Sequence, residues 1–408
     1  MVAQAGFDPT KSQAVSHAVG PSAHQLVLLQ GSTEYFPALV AAMNQAQSEI
    51  RFESYLFNVT GTGATVAQAL EQAALRGVQV MVVLDGAGSK DMDADWLSRW
   101  TRAGVHWHVF EPMGTGGIWF PTRWRRLHRK LCVIDGQKAF CGGINILDDA
   151  YDPHLKATMR HPRLDYAVEI MGPKVTDIHA SMIQLWFRLE ISRNLRARRL
   201  GAALDVWREG DPTPWRLNMG PVHWVLRDNV THRHDIQRSY LKAIGKAKQE
   251  IIIANAFFLP GSKIRRALQT AARRGVQVNL LLPGHYEFAL PYRASRVVYR
   301  QLIGAGVQIF EYHLSYLHAK VAVIDRRWST VGSSNLDPLS LLLAREANLV
   351  IDDEAFAAQL RGRLSDAMQQ GAHPVLPGIG RQPWWDRWLD NLSYALMRAL
   401  IFLTARRY

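Results

Sequence analysis

The chain has 408 residues, 48% of them apolar, and only two cysteines. That length supports two domains of ordinary size, and the composition excludes a fibrous, low-complexity or disulfide-framed protein. A net charge of +13 and a sequence pI of about 9.9 call for an anionic partner, either nucleic acid or a negatively charged membrane surface, and do not choose between them.

Residues 1–23 are polar and small, without the apolar core of a signal peptide, and read as a flexible tail. No run of about 20 apolar residues follows, which argues against a membrane-spanning helix. A strand near Gln25–Leu29, a helix over Glu34–Ser48, strand Ile50–Phe57, helix Ala64–Arg76 and strand Val78–Leu84 follow in order. The glycine-containing turns between them predict βαβ units in a mainly parallel sheet. After strand Val105–Phe110 comes an irregular stretch, Met113–Arg126, mixing Trp119, Phe120 and Trp124 with Arg123, Arg125 and Arg126. Next to a reactive site, such a loop would form a substrate entrance.

Residues 127–145 carry the chemistry: Leu127-His128-Arg129-Lys130, an apolar run to Asp135, and a second run to Gly142-Gly143-Ile144-Asn145. The pattern predicts a β-hairpin turning on Gly136-Gln137. That register sets His128 opposite Asn145 and Lys130 opposite Gly143, with all four side chains on one face. It also makes Cys132 and Cys141 cross-strand neighbours on that face. They are expected to be free, buried thiols, because the matching positions of a second copy are Ala322 and Val331.

That second copy spans 317–335, with His318, Lys320, Asp325, Gly332, Ser333 and Asn335 at the same spacing. The duplication extends further: Glu49-Ile50 is echoed by Glu250-Ile251, the run Arg76–Val80 by Arg274–Val278, and Ala103–Val105 by Ala305–Val307. The copies lie 202 residues apart at Ala103 and Ala305 but 190 apart at His128 and His318, so the first copy carries about a dozen extra residues before its hairpin. Each copy then offers a carboxylate at the start of a strand, Asp165 or Glu346, able to accept a hydrogen bond from the nearby histidine and fix its tautomer.

A basic connector covers 191–220, with Arg193, Arg196, Arg198 and Arg199 close together. The chain therefore divides into a tail (1–23), two similar domains (24–190 and 221–375) joined by the connector, and a C-terminal segment (376–408). In that segment Trp384, Trp385 and Trp388 precede an apolar stretch too short and too charged to span, which suits a helix lying in a membrane interface.

Paired H-x-K-x4-D motifs, with FESYLF at 52–57, LHRKLCVIDG at 127–136, GGIN at 142–145, RHDIQRSY at 233–240 and VGSSNLDPLSLLLAREAN at 331–348, resemble the phospholipase D superfamily, and within it the bacterial cardiolipin synthases of the B type. The resemblance covers about residues 25–375. It implies an α/β fold of two similar domains, each a mainly parallel or mixed sheet flanked by helices, sharing one active site. It implies that His128 attacks a phosphodiester to form a phosphatidyl-histidine, while His318 protonates the leaving alcohol and deprotonates the incoming one. Lys130, Lys320, Asn145 and Asn335 would hold the phosphate oxygens, Gly143 would leave room for the phosphate, Ser333 would donate a hydrogen bond, and Asp165 and Glu346 would orient the histidines. Asp135 and Asp325 belong to the catalytic motif by name, yet seven residues of strand at about 3.3 Å each put them roughly 20 Å away, where they would hold turns. No metal or other cofactor is required. The implied partner is an anionic phospholipid membrane containing phosphatidylglycerol and cardiolipin, met peripherally at the cytoplasmic face of the inner membrane, with no nucleic acid. Phospholipid hydrolysis, nucleic-acid cleavage and a non-catalytic membrane scaffold are the alternatives.

Overall fold

The computed structural model describes residues 16–19, 24–90, 92–112, 125–148, 151–152, 157–158, 161–202, 204, 220–285, 289–376 and 383–405. Most of the aromatic–arginine stretch, including Trp119, Phe120, Arg123 and Trp124, lies outside them.

The first half contains β1 (Ser16–Val19), β2 (His24–Gln30), α1 (Gly31–Gln45), β3 (Glu49–Ser54), α2 (Gly63–Leu75), β4 (Gln79–Asp85), α3 (Ala94–Ala103), β5 (His106–Phe110), β6 (Leu131–Ile134) and β7 (Lys138–Gly142). A two-stranded ribbon, β8 (Tyr151–Asp152) with β9 (Ala157–Thr158), precedes β10 (Tyr166–Met171) and α4 (Lys174–Arg196). The second half repeats the plan with β11 (Val222–Arg227), α5 (Asp235–Lys246), β12 (Glu250–Asn255), α6 (Ser262–Arg273), β13 (Gln277–Pro283), α7 (Ala289–Ile303), β14 (Gln308–Tyr312), β15 (Lys320–Ile324), β16 (Trp328–Gly332), α8 (Pro338–Leu342), β17 (Glu346–Asp352), α9 (Glu354–Gly371) and β18 (Ala372–Pro374); α10 (Trp384–Ala405) follows.

The two eight-stranded sheets run β1-β2-β10-β7-β6-β3-β4-β5 and β11-β17-β16-β15-β12-β13-β14-β18. Both are mixed. Only β3–β5 and β12–β14 are parallel, linked by helices, and the remaining pairs are antiparallel. The repeated Arg-Gly-Val motifs are helix stops: Gly77 and Gly275 take φ of +92° and +88°. Val78 and Val276 then return backbone N–H groups to Ala73 and Ala271. β1 pairs with β2, so part of the expected tail is an edge strand. The helix α4 runs through Arg196, so the connector begins as helix.

Strands β4 and β13 are buried almost throughout: helices cover one face, and on the other Val83 of β4 packs with Leu185 of α4 while Leu281 of β13 joins a core shared by both halves. One core joins the halves, with Leu131, Val133, Tyr166 and Val168 packed with Val321, Val323, Leu349 and Ile351. Each half keeps a second core beneath its own helices.

The hairpin register differs from the expected one by a single residue. Leu131 pairs with Cys141 and Ile134 with Lys138, and in the second half Val321 pairs with Val331 and Ile324 with Trp328. The turn takes three residues because Asp135 and Gly136, like Asp325 and Arg326, both adopt left-handed φ. Ile134 then accepts from the Gln137 N–H. A one-residue slip moves every side chain to the other face. Cys132 consequently joins the first half's own core and Cys141 the shared core; they are free, buried and on opposite faces, not neighbours. His128 and Lys130 likewise do not share a hairpin face with Gly143 and Asn145.

Candidate active site

What gathers the predicted residues is the junction between the sheets. The segment before each hairpin leaves its own sheet and bridges to the other half, Leu127 with Arg345 and Leu164 with Leu317. The His128 N–H donates to the Arg345 carbonyl (3.0 Å) and the His318 N–H to the Leu164 carbonyl (2.8 Å). The residue after each of those carbonyls is a carboxylate, Glu346 or Asp165, so each histidine meets the acid of the opposite half.

Nδ1 of His128 lies 2.9 and 3.0 Å from the two Glu346 oxygens and 3.1 Å from the Ser333 carbonyl. Nδ1 of His318 lies 2.6 Å from Asp165 Oδ2 and 2.8 Å from Lys320 Nζ. Both acids and both lysines are buried. The imidazoles keep 15% and 23% exposure, and with Nδ1 engaged, Nε2 is the nitrogen left for a substrate.

Lys130 Nζ donates to the His128 carbonyl (2.8 Å) and Lys320 Nζ to that of His318. Burial and repulsion from Lys320 pull the Lys130 ammonium down to about 7 against the attraction of Glu346 and Asp165. Burial pulls Lys320 down to about 8. Asn145 and Asn335 are buried, and the Oδ1 of each has no hydrogen-bond partner among the described residues. Two lysines thus stand beside the histidine pair, and the two buried amides lie two residues beyond Gly143, which packs on Asp165, and Ser333, which bonds Glu346.

The acids are not equivalent. Burial would raise Glu346, but His128, Lys130 and the Ser333 hydroxyl outweigh it and hold the carboxyl below its ordinary range. Ser333 Oγ donates to Glu346 at 2.5 Å, and Ser340 also donates. Burial dominates at Asp165, pushing it up to about 6. Burial lowers both histidines and the two lysines add to it; Glu346 opposes this at His128, and His318 is lowered further.

Two expected phosphate-side positions meet acids. An added Cβ at Gly143 would sit 2.3 Å from Asp165 Oδ1, so that glycine makes room for the acid. The Ser333 hydroxyl is bonded to Glu346. Asp135 and Asp325 are not brought into the site. Asp135 accepts from the Gln47, Ser48 and Glu49 N–H groups at 2.8–2.9 Å, and Asp325 from those of Lys248, Gln249 and Glu250 at 2.8–3.0 Å.

Several supporting residues escaped the sequence reading. Fully buried Asp85 accepts from the Leu127 N–H at 2.7 Å and so anchors the approach to His128. The Tyr55 ring lies 4.9 Å from the His128 ring and 5.2 Å from Lys130 Nζ. Arg129, between His128 and Lys130, forms a buried two-point ion pair with Glu53 at 2.7 and 2.8 Å. The one available signal was asymmetry, since the duplicate positions hold Ala254 and Ala319 in place of Glu53 and Arg129.

A family profile described as "Cardiolipin synthase, PLD-like domain" matches residues 39–169 and 240–367. Cardiolipin synthase B of Escherichia coli (strain K12) and that of Salmonella typhimurium are each 37% identical over 381 residues, covering 92% of this chain and 88% of the relative. Among solved structures, phosphatidylserine synthase of Haemophilus influenzae superposes with a TM-score of 0.67 over 96% of this chain and 97% of its own, at 15% identity, a likeness of fold. With the profile spanning both halves and the relatives nearly the whole length, the chain belongs to the cardiolipin synthase family of phospholipase D-like proteins.

Proposed function

We propose that this chain synthesises cardiolipin by moving a phosphatidyl group to the glycerol hydroxyl of a phosphatidylglycerol, either from a second phosphatidylglycerol with release of glycerol or from phosphatidylethanolamine with release of ethanolamine. The observation that carries the reading is the pair of histidines, one from each half, each held by a carboxylate of the other.

Their surroundings support a division of labour. Only acceptors face Nδ1 of His128, the Glu346 carboxylate and the Ser333 carbonyl, so the proton resides there and Nε2 keeps its lone pair. That nitrogen is the nucleophile: it forms the N–P bond as the bond to the glycerol oxygen breaks. Nδ1 of His318 faces a donor, Lys320, and an acid raised to about 6, so it can take a proton from that side as Nε2 releases its own to the leaving group. His318 gives that proton to the departing glycerol and takes one from the acceptor hydroxyl. The acceptor oxygen then displaces His128 from phosphorus. Lys130, Lys320, Asn145 and Asn335 donate to the non-bridging oxygens, and the phosphate's negative charge restores protonation to lysines that burial has weakened. Glu346 balances the positive charge of the phosphorylated imidazole.

Such a substrate supports peripheral action at a membrane, here read as the cytoplasmic face of the inner membrane. No helix among the described residues is long and apolar enough to cross one. The test is mass spectrometry of lipids after the purified chain meets phosphatidylglycerol, with and without phosphatidylethanolamine, beside His128→Ala and His318→Ala. Cardiolipin from the unaltered chain alone is the expected result. Phosphatidic acid as the sole product would replace transfer by hydrolysis, and no lipid product would overturn the reading.

A further inference from the structure

Helix α10 is docked the wrong way round for an ordinary surface helix. Such a helix turns its apolar stripe to the core and its charges to water. Here the acids face inward. Asp390 is 3% exposed and accepts from Arg300 at 2.8 Å, Arg293 reaches Asp386 at 3.3 Å and Asp390 at 3.6 Å, and Arg265 donates to the Tyr394 hydroxyl at 2.9 Å. These contacts seat the helix on α7 and α6, with Tyr394 and Met397 reaching the core of the second half.

The apolar side faces out. Trp385, Trp388, Leu389, Leu392 and Leu396 occupy positions i, i+3, i+4, i+7 and i+11 and form one stripe, with Trp384 beside it. The three tryptophans are 53–75% exposed and Leu396 53%. The exposed charges on the described helix are cations, Arg387 and Arg398, because both acids are engaged inside. Large apolar groups grouped in this way mark an interaction surface. Tryptophans at one end, leucines along the stripe and two arginines on the flank beside Trp384 fit the headgroup layer of an anionic bilayer, where indole rings settle and arginines meet phosphates.

We infer that α10 is the membrane-docking surface, lying parallel to an anionic bilayer with its Trp–Leu stripe in the headgroup layer while its acidic side stays clamped by Arg293 and Arg300. The inference rests on reading the substrate as a membrane phospholipid, and it deepens that reading by naming the element that touches the membrane. It also assigns the Arg293–Asp386 and Arg300–Asp390 pairs a purpose: they hold outward a stripe that would otherwise turn inward.

The test uses the full chain and the triple variant Trp384→Ala, Trp385→Ala, Trp388→Ala. These side chains are exposed, and none belongs to the catalytic machinery. Flotation with phosphatidylglycerol–phosphatidylethanolamine vesicles and with phosphatidylcholine vesicles reads binding. Transfer on detergent-dispersed phosphatidylglycerol reads the site alone. The unaltered chain should float with the anionic vesicles and poorly with the neutral ones. The variant should lose vesicle binding by about tenfold or more while keeping detergent activity within about twofold. Equal flotation of the two proteins would overturn the assignment. So would a dimer in sedimentation velocity that becomes monomeric in the variant, since the stripe would then be a self-association surface. If neither protein makes product in detergent while flotation still depends on the tryptophans, the proposed reaction fails and the docking surface stands.

Discussion

His128 Nδ1 lies 2.9 Å from the Glu346 carboxylate, 218 residues away in sequence, and His318 makes the reciprocal contact with Asp165, 153 residues back. Neither half holds its own histidine. A half expressed alone would have an imidazole without its acid and an acid without its imidazole, so the reactive tautomers belong to the assembled molecule.

The first prediction follows from that crossing. Glu346→Gln removes the charge that balances a phosphorylated His128, and the carboxamide can offer a donor to Nδ1 and invert the tautomer. Turnover should fall by about 10²–10⁴-fold with KM much less affected. Asp165→Asn should spare the first step more than the second, so rapid-quench labelling should capture more covalent intermediate than in Glu346→Gln. Equal intermediate levels in the two variants would contradict the division of roles.

The pH profile should be a bell with an unusually early basic limb. Lys130 and Lys320 act in their charged forms, and burial brings them to about 7 and about 8, so kcat/KM should decline as pH rises through that range. In the complex the phosphodiester charge raises both, and the decline in kcat should move to higher pH. The acid limb reflects protonation of His128, lowered below the ordinary 6.5 by burial, with Lys130 and Lys320 working against Glu346. It should lie on the acid side of that value. A kcat/KM profile flat to about pH 9 would show that the lysines do not govern binding.

Gly143→Ala tests the space reserved for Asp165. With Asp165 Oδ1 only 2.3 Å from the new methyl, the acid must move away from His318. Activity should fall by about 10²-fold. Circular dichroism should show a folded protein, and a variant as active as the parent would mean that Asp165 has another place to sit.

Asp135→Ala and Asp325→Ala should behave oppositely to the active-site changes. Each deletes a carboxylate that accepts three backbone N–H groups at a partly exposed strand entrance. Stability in urea should drop by about 1–3 kcal/mol while kcat per folded molecule stays close to the parent value. Asp135 is held below its ordinary pKa by those N–H groups against the opposing effect of burial. Its share of stability is therefore present above the ordinary value of 3.8 and lost as pH falls through the depressed one. Loss of kcat without loss of stability would place these aspartates in the chemistry.

Much of this molecule is legible in residues alone. The duplication, the two H-x-K-x4-D motifs, the helix-ending glycines and the acids Asp165 and Glu346 are all recorded in spacing, because helix and strand periods act over a few residues. The turn was misread because Asp135 serves the loop at Gln47–Glu49, a contact 86–88 residues away that reshapes the hairpin without leaving a local signature. Which acid serves which histidine was settled only when two sheets met face to face; why position 143 is glycine, what Ser340 and Asp85 do, and which way α10 faces were settled by tertiary packing within each half. Those are contacts between surfaces that the chain brings together from far apart, and no periodicity encodes them.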